Sequence, residues 1–411
     1  MSTRFPSLPL IATLFAASLG YFVDGYDIVI FSVERVTSLK ALGLSGEEVT
    51  KVGAWLINCQ MAGLLLGGIL CGIWSDKRGR LEALLGSILL YSTATFANAY
   101  VSSVDQYALC RFFGGLGLAG EIGTAITLVS EIMSKEKRGY GTMIVTFMGL
   151  SGVAVAGLMG DRLDWQGAYK LGGVMGFALL ILRGMMADSD LFKKTRGQEG
   201  LRYGDLRLLF GNRNRFKRFA ACVFAGAAYQ TLNVLFGIFA PEVSQAMTFL
   251  EPAKVGPAML YGGFAVALGG LSAGYLSQKT GTRKKVLASG ISLAGLAGLA
   301  FVNSGITTAS LYYIGVGVMG FFSGYWSVYL LTTAEQFGTN LRGTAATSIP
   351  NFSRAFVIIH TSLFMGLKGI VGVIPAVEIV LVLFTLVALA GVFFLRETAN
   401  VDLRFVETDP I

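Results

Sequence analysis

The chain has 411 residues, 54% of them apolar and only 14% charged, against roughly 25% charged in an ordinary soluble domain. That composition excludes a soluble globular protein, and the 54 glycines, which follow no three-residue period, exclude collagen. The net charge of +8 does not mark nucleic-acid binding, because the lysines and arginines gather on one side of the apolar runs.

A helix that crosses a bilayer takes about 20 mostly apolar residues. Runs bounded by charge or by Pro/Gly clusters predict twelve such spans, near residues 10–33, 51–74, 81–102, 106–133, 141–160, 166–186, 219–240, 252–277, 286–304, 308–334, 344–367 and 373–395. The expected fold is an all-α membrane protein, twelve transmembrane helices arranged as two pseudo-symmetric six-helix bundles around a central cavity. The glycine content suits helix backbones that approach closely in lipid. The first apolar run continues past Asp24, so it reads as an uncleaved helix and not as a signal peptide.

With the N-terminus in the cytoplasm, the even connections and both tails hold 24 of the 33 Lys and Arg residues and the odd connections hold seven, with Arg111 and Arg354 inside helices. The positive-inside rule therefore places both termini in the cytoplasm of a multi-pass plasma-membrane protein, the inner membrane if the cell is bacterial. Nine of the basic residues fall in 187–218, which reads as a cytoplasmic linker between an N-terminal bundle, 1–186, and a C-terminal bundle with a short tail, 219–411. Membrane lipid headgroups, not nucleic acid, are the partners expected for that charge. Cys59, Cys71, Cys110 and Cys222 lie in apolar runs without metal-ligand or disulfide spacing, so they read as packing residues and no metal or cofactor is expected.

In chain order, the first span carries Asp24-Gly25-Tyr26-Asp27. The loop after the second reads Gly72-Ile-Trp-Ser-Asp76-Lys77-Arg78-Gly79-Arg80. The fourth contains Arg111, Gly115, Gly117, Gly120 and Glu121, and at its end Glu131 precedes Arg138 by seven residues. These features recur in the second half. The loop after the eighth span reads Gly274-Tyr-Leu-Ser-Gln278-Lys279-Thr-Gly281-Thr-Arg283, and Glu335 precedes Arg342 by the same seven. The offsets, 202 and 204 residues, agree closely enough to indicate duplicated halves. Such halves around a cavity are the plan of many secondary transporters, since one can rock against the other about a fixed site.

Charged side chains within hydrocarbon need a partner or an aqueous cavity, because each one costs at least about 2.5 kcal/mol. At a rise of about 1.5 Å per residue, Asp24 and Asp27 lie roughly 21 and 26 Å from the cytoplasmic start of their span, and Arg111 roughly 8 Å below the outer face. In a slab of about 30 Å these form one outer layer. An ion pair of Asp27 with Arg111, released on protonation, is the expected proton-coupling step, with Asp24 one turn below to relay the proton or bind substrate. A permanent structural bridge is the competing reading. Arg354, near the midplane with Asn351 on its face, suits a carboxylate, whose two oxygens match its planar fork; an internal bridge to Glu121 or Asp24 is the alternative. Glu121, Asn58, Gln60, Tyr229, Gln230, Asn233 and Trp326 are the expected cavity lining.

These residues resemble the major facilitator superfamily over essentially the whole chain. Its loop pattern G-x-x-x-D-[RK]-x-G-[RK] is met by Gly72, Asp76, Lys77, Gly79 and Arg80, its fourth-helix pattern R-x-x-x-G-x-G-x-x-G by Arg111, Gly115, Gly117 and Gly120. Asp24-Gly25-Tyr26-Asp27 is similar to the D-G-x-D signature of its aromatic-acid and metabolite proton symporters. The match to sugar porters is thinner, because Gln230 and Asn233 alone keep their seventh-helix signature and Arg396-Glu397-Thr398 stands in place of Pro-Glu-Thr. The resemblance implies that an aspartate of the first helix works with Arg111 in proton coupling. Gly72, Asp76, Gly79, Arg80, Glu131, Arg138, Glu335 and Arg342 are expected to form a cytoplasmic gate that holds the outward-facing state.

The function expected is proton-coupled symport of a small organic anion by a monomer working through alternating access. A proton antiporter exporting an organic cation or drug is the alternative. An intramembrane serine hydrolase built on Ser151 and His360 is a remote third; twelve spans and duplicated transport motifs argue against an enzyme.

Overall fold

The computed structural model describes residues 8–78, 80–133, 137–160, 162–186, 210–249, 251–399, 401 and 407. Gly79 and most of the expected linker lie outside the described residues, as do the side chains of Asp76, Arg80 and Glu131, expected at the cytoplasmic gate. The first half comprises α1 (Leu8–Ala41), α2 (Glu47–Arg78), α3 (Arg80–Asn98), α4 (Val104–Ile132), α5 (Arg138–Gly160) and α6 (Trp165–Met186). In the second half α7 is broken into Arg213–Ala225, Ala227–Thr231, a π-helical turn Leu232–Ile238, and Ala240–Ala246. It is followed by α8 (Val255–Thr280), α9 (Lys284–Val302), α10 (Ala309–Ser323 and Trp326–Glu335), α11 (Thr339–Val371) and α12 (Val373–Phe394). Among the described residues nine stretches are long and apolar enough to cross a bilayer.

Local chemistry sets the helix ends. Ser103 caps α4 by accepting from the Gln106 amide at 3.3 Å, while the Gln106 side chain accepts from the Ser102 amide at 2.9 Å. Glu47 and Glu48 complement the positive start of α2, and α8 stops at Gly281, whose φ of 63° lies in the left-handed region. Two boundaries differ from the sequence expectation. α1 runs eight residues beyond 33 to Ala41, since the Ser38 hydroxyl donates to the Glu34 carbonyl at 2.7 Å and Leu39 is buried. α7 starts at Arg213, inside the expected linker, because the Asn212 side chain accepts from the Asn214 and Arg215 amides.

Across the halves α5 packs on α8 and α2 on α11, two contacts that the internal duplication relates to each other. Within the first half α4 lies close enough to α2 that a Cβ on Gly63 would stand 2.1 Å from the Phe112 carbonyl oxygen, so only glycine fits there. Ile370, Phe393 and Phe394 are 81%, 75% and 71% exposed, an outward-facing apolar surface that a bilayer and not water would solvate.

Candidate functional site

A cavity lies between the halves at mid-depth. α1 contributes Tyr21, Gly25, Ile28, Val29 and Ser32, spaced so that one face of the helix looks inward. α2 adds Gln60, α5 adds Gly149, and the broken α7 adds Tyr229, Gln230 and, from its π-turn, Asn233. The π-turn places an extra residue per turn between Tyr229 and the end of α7, and both Tyr229 and Asn233 line the cavity, hydrogen-bonded to each other. Trp326 and Arg354 complete it from α10 and α11.

One wall is an aromatic ladder. Tyr229 stacks on Trp326 with ring centres 4.3 Å apart and 19° between planes, and Trp326 stacks in turn on Tyr329 at 4.7 Å. The Trp326 indole donates to the Tyr21 hydroxyl at 3.2 Å, which ties this wall to the first half. Opposite in character is Arg354. Its Nη2 donates to Asp24 Oδ2 at 2.8 Å across the two halves, with Asp24 fully buried and Arg354 6% exposed. Asp24 Oδ1, Arg354 Nη1, Gln60 Nε2 and Gln230 Nε2 are buried without a hydrogen-bond partner among the described residues. The cavity thus combines a flat aromatic surface, a guanidinium and two open amide donors, a set that matches a planar anion.

The other membrane-embedded charges separate from this set. Asp27 accepts from the Thr95 hydroxyl at 3.3 Å and faces Gly172 of α6, inside the first half. Among the described residues Arg111 makes no ion pair within 4 Å; its guanidinium lies over the rings of Tyr169 and Phe31 at 5.0 and 5.9 Å. The expected direct Asp27–Arg111 bridge is therefore open in this conformation, the acid turned to a hydroxyl and the arginine to aromatic faces. Glu121 accepts from Arg183 Nη1 with both oxygens, at 2.7 and 3.0 Å, and Arg183 also reaches the Ala16 carbonyl.

Gln60, Tyr229, Gln230, Asn233, Trp326 and Arg354 line the cavity as expected from the sequence. Three expected lining residues lie elsewhere. Glu121 is consumed by Arg183, the Asn351 amide donates to the Ala119 and Thr347 carbonyls at 2.8 Å, and Asn58 accepts from Thr361 at 2.9 Å. Asn351 and Asn58 therefore join α11 to α4 and to α2. Ser151 donates to the Phe147 carbonyl, whereas His360 stacks on Phe384 at 3.7 Å and contacts Thr231 at 2.9 Å, so the two parts of a hydrolase dyad do not meet.

Charge clusters join the halves above and below the cavity. At the basic face Glu335 of α10 meets Arg138 of α5 at 2.8 Å and Arg283 at 3.3 Å, and accepts from Thr398 at 2.7 Å. Arg342 is buried at the same end, and Gly72 lies against Thr344 of α11. At the opposite face Arg35 of α1 pairs with Glu242 of α7 at 3.1 Å and donates to the Ile238 carbonyl at 3.3 Å. Sequence reasoning missed Arg35, Glu242, Arg183 and Tyr21. The first three stand at the ends of apolar runs, where charge reads as loop. The signal available for Arg35 was its position in a continuing helical pattern through Leu39.

A family model described as Major Facilitator Superfamily matches residues 17–359. The chain is 24% identical over 358 residues to the gentisate transporter of Corynebacterium glutamicum, with 81% of this chain and 76% of that one covered. It is 28% identical over 205 residues to the niacin transporter NiaP of Acinetobacter baylyi, covering 48% of this chain and 46% of that one. The proton:xylose symporter XylE has the same fold, with a TM-score of 0.74 at 18% identity, covering 97% of this chain and 98% of that one.

Proposed function

Since the chain belongs to the major facilitator superfamily, a family of membrane transporters, we propose that it is a proton-coupled symporter that carries a small aromatic carboxylate by alternating access. The observation that carries this reading is the cavity arginine, Arg354, held by an aspartate of the opposite half beside a stacked aromatic wall. A ring lies flat on Tyr229 and Trp326, and its carboxylate takes the fork of Arg354. Gln60 and Gln230 supply donors to a ring nitrogen or hydroxyl. The names of the gentisate and niacin transporters support the same class of cargo.

The basic face is the cytoplasmic one in this reading, with both termini there, and the protein works as a monomer in the inner membrane of a bacterium. The proton rides on the acids of α1, Asp24 and Asp27, with Arg111 released or held according to the charge on Asp27. The two six-helix bundles rock about the cavity.

Proteoliposomes with an imposed pH gradient test this. Gentisate and nicotinate are expected to accumulate when the side outside is acidic, with xylose and cationic dyes left behind. Replacing both α1 acids, Asp24→Asn together with Asp27→Asn, is expected to abolish accumulation while counterflow exchange of labelled substrate continues. Outward movement of a cationic dye against the proton gradient, with no carboxylate uptake, would overturn the reading in favour of an antiporter.

A further inference from the structure

From the way Arg354 is held, we infer that Asp24 is a built-in stand-in for the substrate carboxylate, and that each arriving anion displaces it from Arg354 and leaves it to take the transported proton. This rests on the anion-symport reading and assigns the coupling proton within it.

The argument is one of charge balance. Three acids, Asp24, Asp27 and Glu121, and three arginines, Arg111, Arg183 and Arg354, are buried in the membrane interior around and beside the cavity. Their formal charges sum to zero in the empty carrier. An anion entering the cavity makes the sum negative, and a net charge enclosed in a low-dielectric interior opposes closure. One acid must therefore be neutralised before the loaded carrier can change sides.

Geometry selects which acid. Glu121 keeps both oxygens on Arg183, out of reach of the cavity. Asp27 sits within the first half against Thr95 and Gly172 and touches no cavity-lining cation. Asp24 alone shares its partner with the ligand, because Arg354 is the cavity-lining arginine and its Nη2 is taken by Asp24 Oδ2 at 2.8 Å. The groups that face Asp24 from its surroundings offer no substitute cation. They are Tyr21 and Asp27 on its own helix, Tyr91 of α3 and Glu121 of α4; of the arginines beyond them, Arg183 of α6 is committed to Glu121 and Arg111 of α4 lies over Tyr169. α5 presents glycine backbone there, at Gly149 and Gly152. Once Arg354 turns its fork to the ligand, a carboxylate at Asp24 is left in a fully buried site with no counter-ion, and a proton from the open side neutralises it. No bond is made or broken beyond that O–H.

The same exchange has a mechanical consequence. Asp24 belongs to the first half and Arg354 to the second, so the empty carrier is clasped across its middle by an ion pair that substrate binding undoes.

The test is proton counting on the purified carrier in weak buffer near neutral pH with a pH indicator. Addition of nicotinate or gentisate is expected to take up about one proton per bound anion in the wild type and none in Asp24→Asn. Asp24→Asn should also bind the anion about tenfold more tightly, since the internal competitor for Arg354 is gone. Proton uptake that persists in Asp24→Asn, or vanishes only in Asp27→Asn, overturns the inference. A ligand-free measurement stands beside it. Spin labels placed on α1 and α7 at the opposite face should show a broader, longer distance distribution in empty Asp24→Asn than in empty wild type, and an unchanged distribution counts against the clasp. If the wild type binds neither acid, the cargo reading fails while this distance measurement still decides the role of Asp24.

Discussion

The two faces of the transporter are closed by unlike means. At the basic face one fully buried carboxylate, Glu335, is held by Arg138, Arg283 and Thr398 at once. The chain beyond α12 crosses the same region, where Glu397 accepts from the Arg283 and Lys284 amides and the Val401 carbonyl accepts from Arg138. At the opposite face one ion pair among the described residues, Arg35 with Glu242, spans the halves, and the Glu242 side chain is 21% exposed. A buried network loses several partners together when its halves part, whereas a single pair at the rim exchanges its partner for water. On that contrast, the opposite face is expected to open at lower free energy than the basic face.

The largest effect is therefore expected from Glu335→Gln. It leaves Arg138 and Arg283 buried without their acid, a loss on the order of 3–5 kcal/mol when a buried pair loses one member. The transition temperature should drop, and cysteines introduced along the basic-face ends of α5 and α10 should become reactive in the empty carrier. Unchanged melting and unchanged reactivity would erase the contrast between the faces.

Glu242→Gln probes the weaker side. Arg35 is 1% exposed and keeps its bond to the Ile238 carbonyl, so the loss should be about 1–2 kcal/mol, between a charged hydrogen bond and an exposed pair. That shifts the equilibrium toward opening at the opposite face by roughly tenfold. Labelling of a cysteine near Thr50, whose hydroxyl also approaches Glu242 at 3.4 Å, should speed up accordingly. A larger destabilisation here than for Glu335→Gln would reverse the order of the two gates.

The same contrast separates what was legible in the sequence from what was not. The twelve spans were readable because the bilayer demands long apolar runs, and the duplication was readable because Glu131 to Arg138 and Glu335 to Arg342 repeat the same interval. Arg354 and its aromatic neighbours were readable because polar groups are expensive at mid-depth. Pairing was less so. The sequence placed Asp27 with Arg111 by depth and by the family resemblance, and offered Asp24 only as an alternative partner of Arg354; depth does not specify which face of a helix a side chain occupies, and it is Asp24 that holds Arg354. Arg35 and Glu242 sit where apolar runs end, so hydropathy assigns them to water although tertiary packing buries the arginine. The break of α7 into a π-turn leaves no mark in an apolar pattern that is continuous from 219 to 240.

The smallest effect is expected where the chain beyond α12 touches the start of α7 and α11. Glu407 accepts from Arg218 at 2.9 Å and lies 3.9 Å from Arg215, and it exchanges backbone bonds with the Asn340 side chain, all at the rim of the second half. None of these contacts crosses to the first half, unlike Val401 with Arg138, and Glu407 is 11% exposed, so its partners can be resolvated when it is removed. Glu407→Ala should then cost about 0.5–1 kcal/mol in thermal stability and leave the reactivity of basic-face cysteines as in the wild type. Truncation after residue 399, which also removes the Val401 carbonyl from Arg138, should open that face measurably more than Glu407→Ala does. Equal reactivity of the two variants would mean that the tail strengthens only its own half and that Glu335, with its two arginines, closes the basic face unaided.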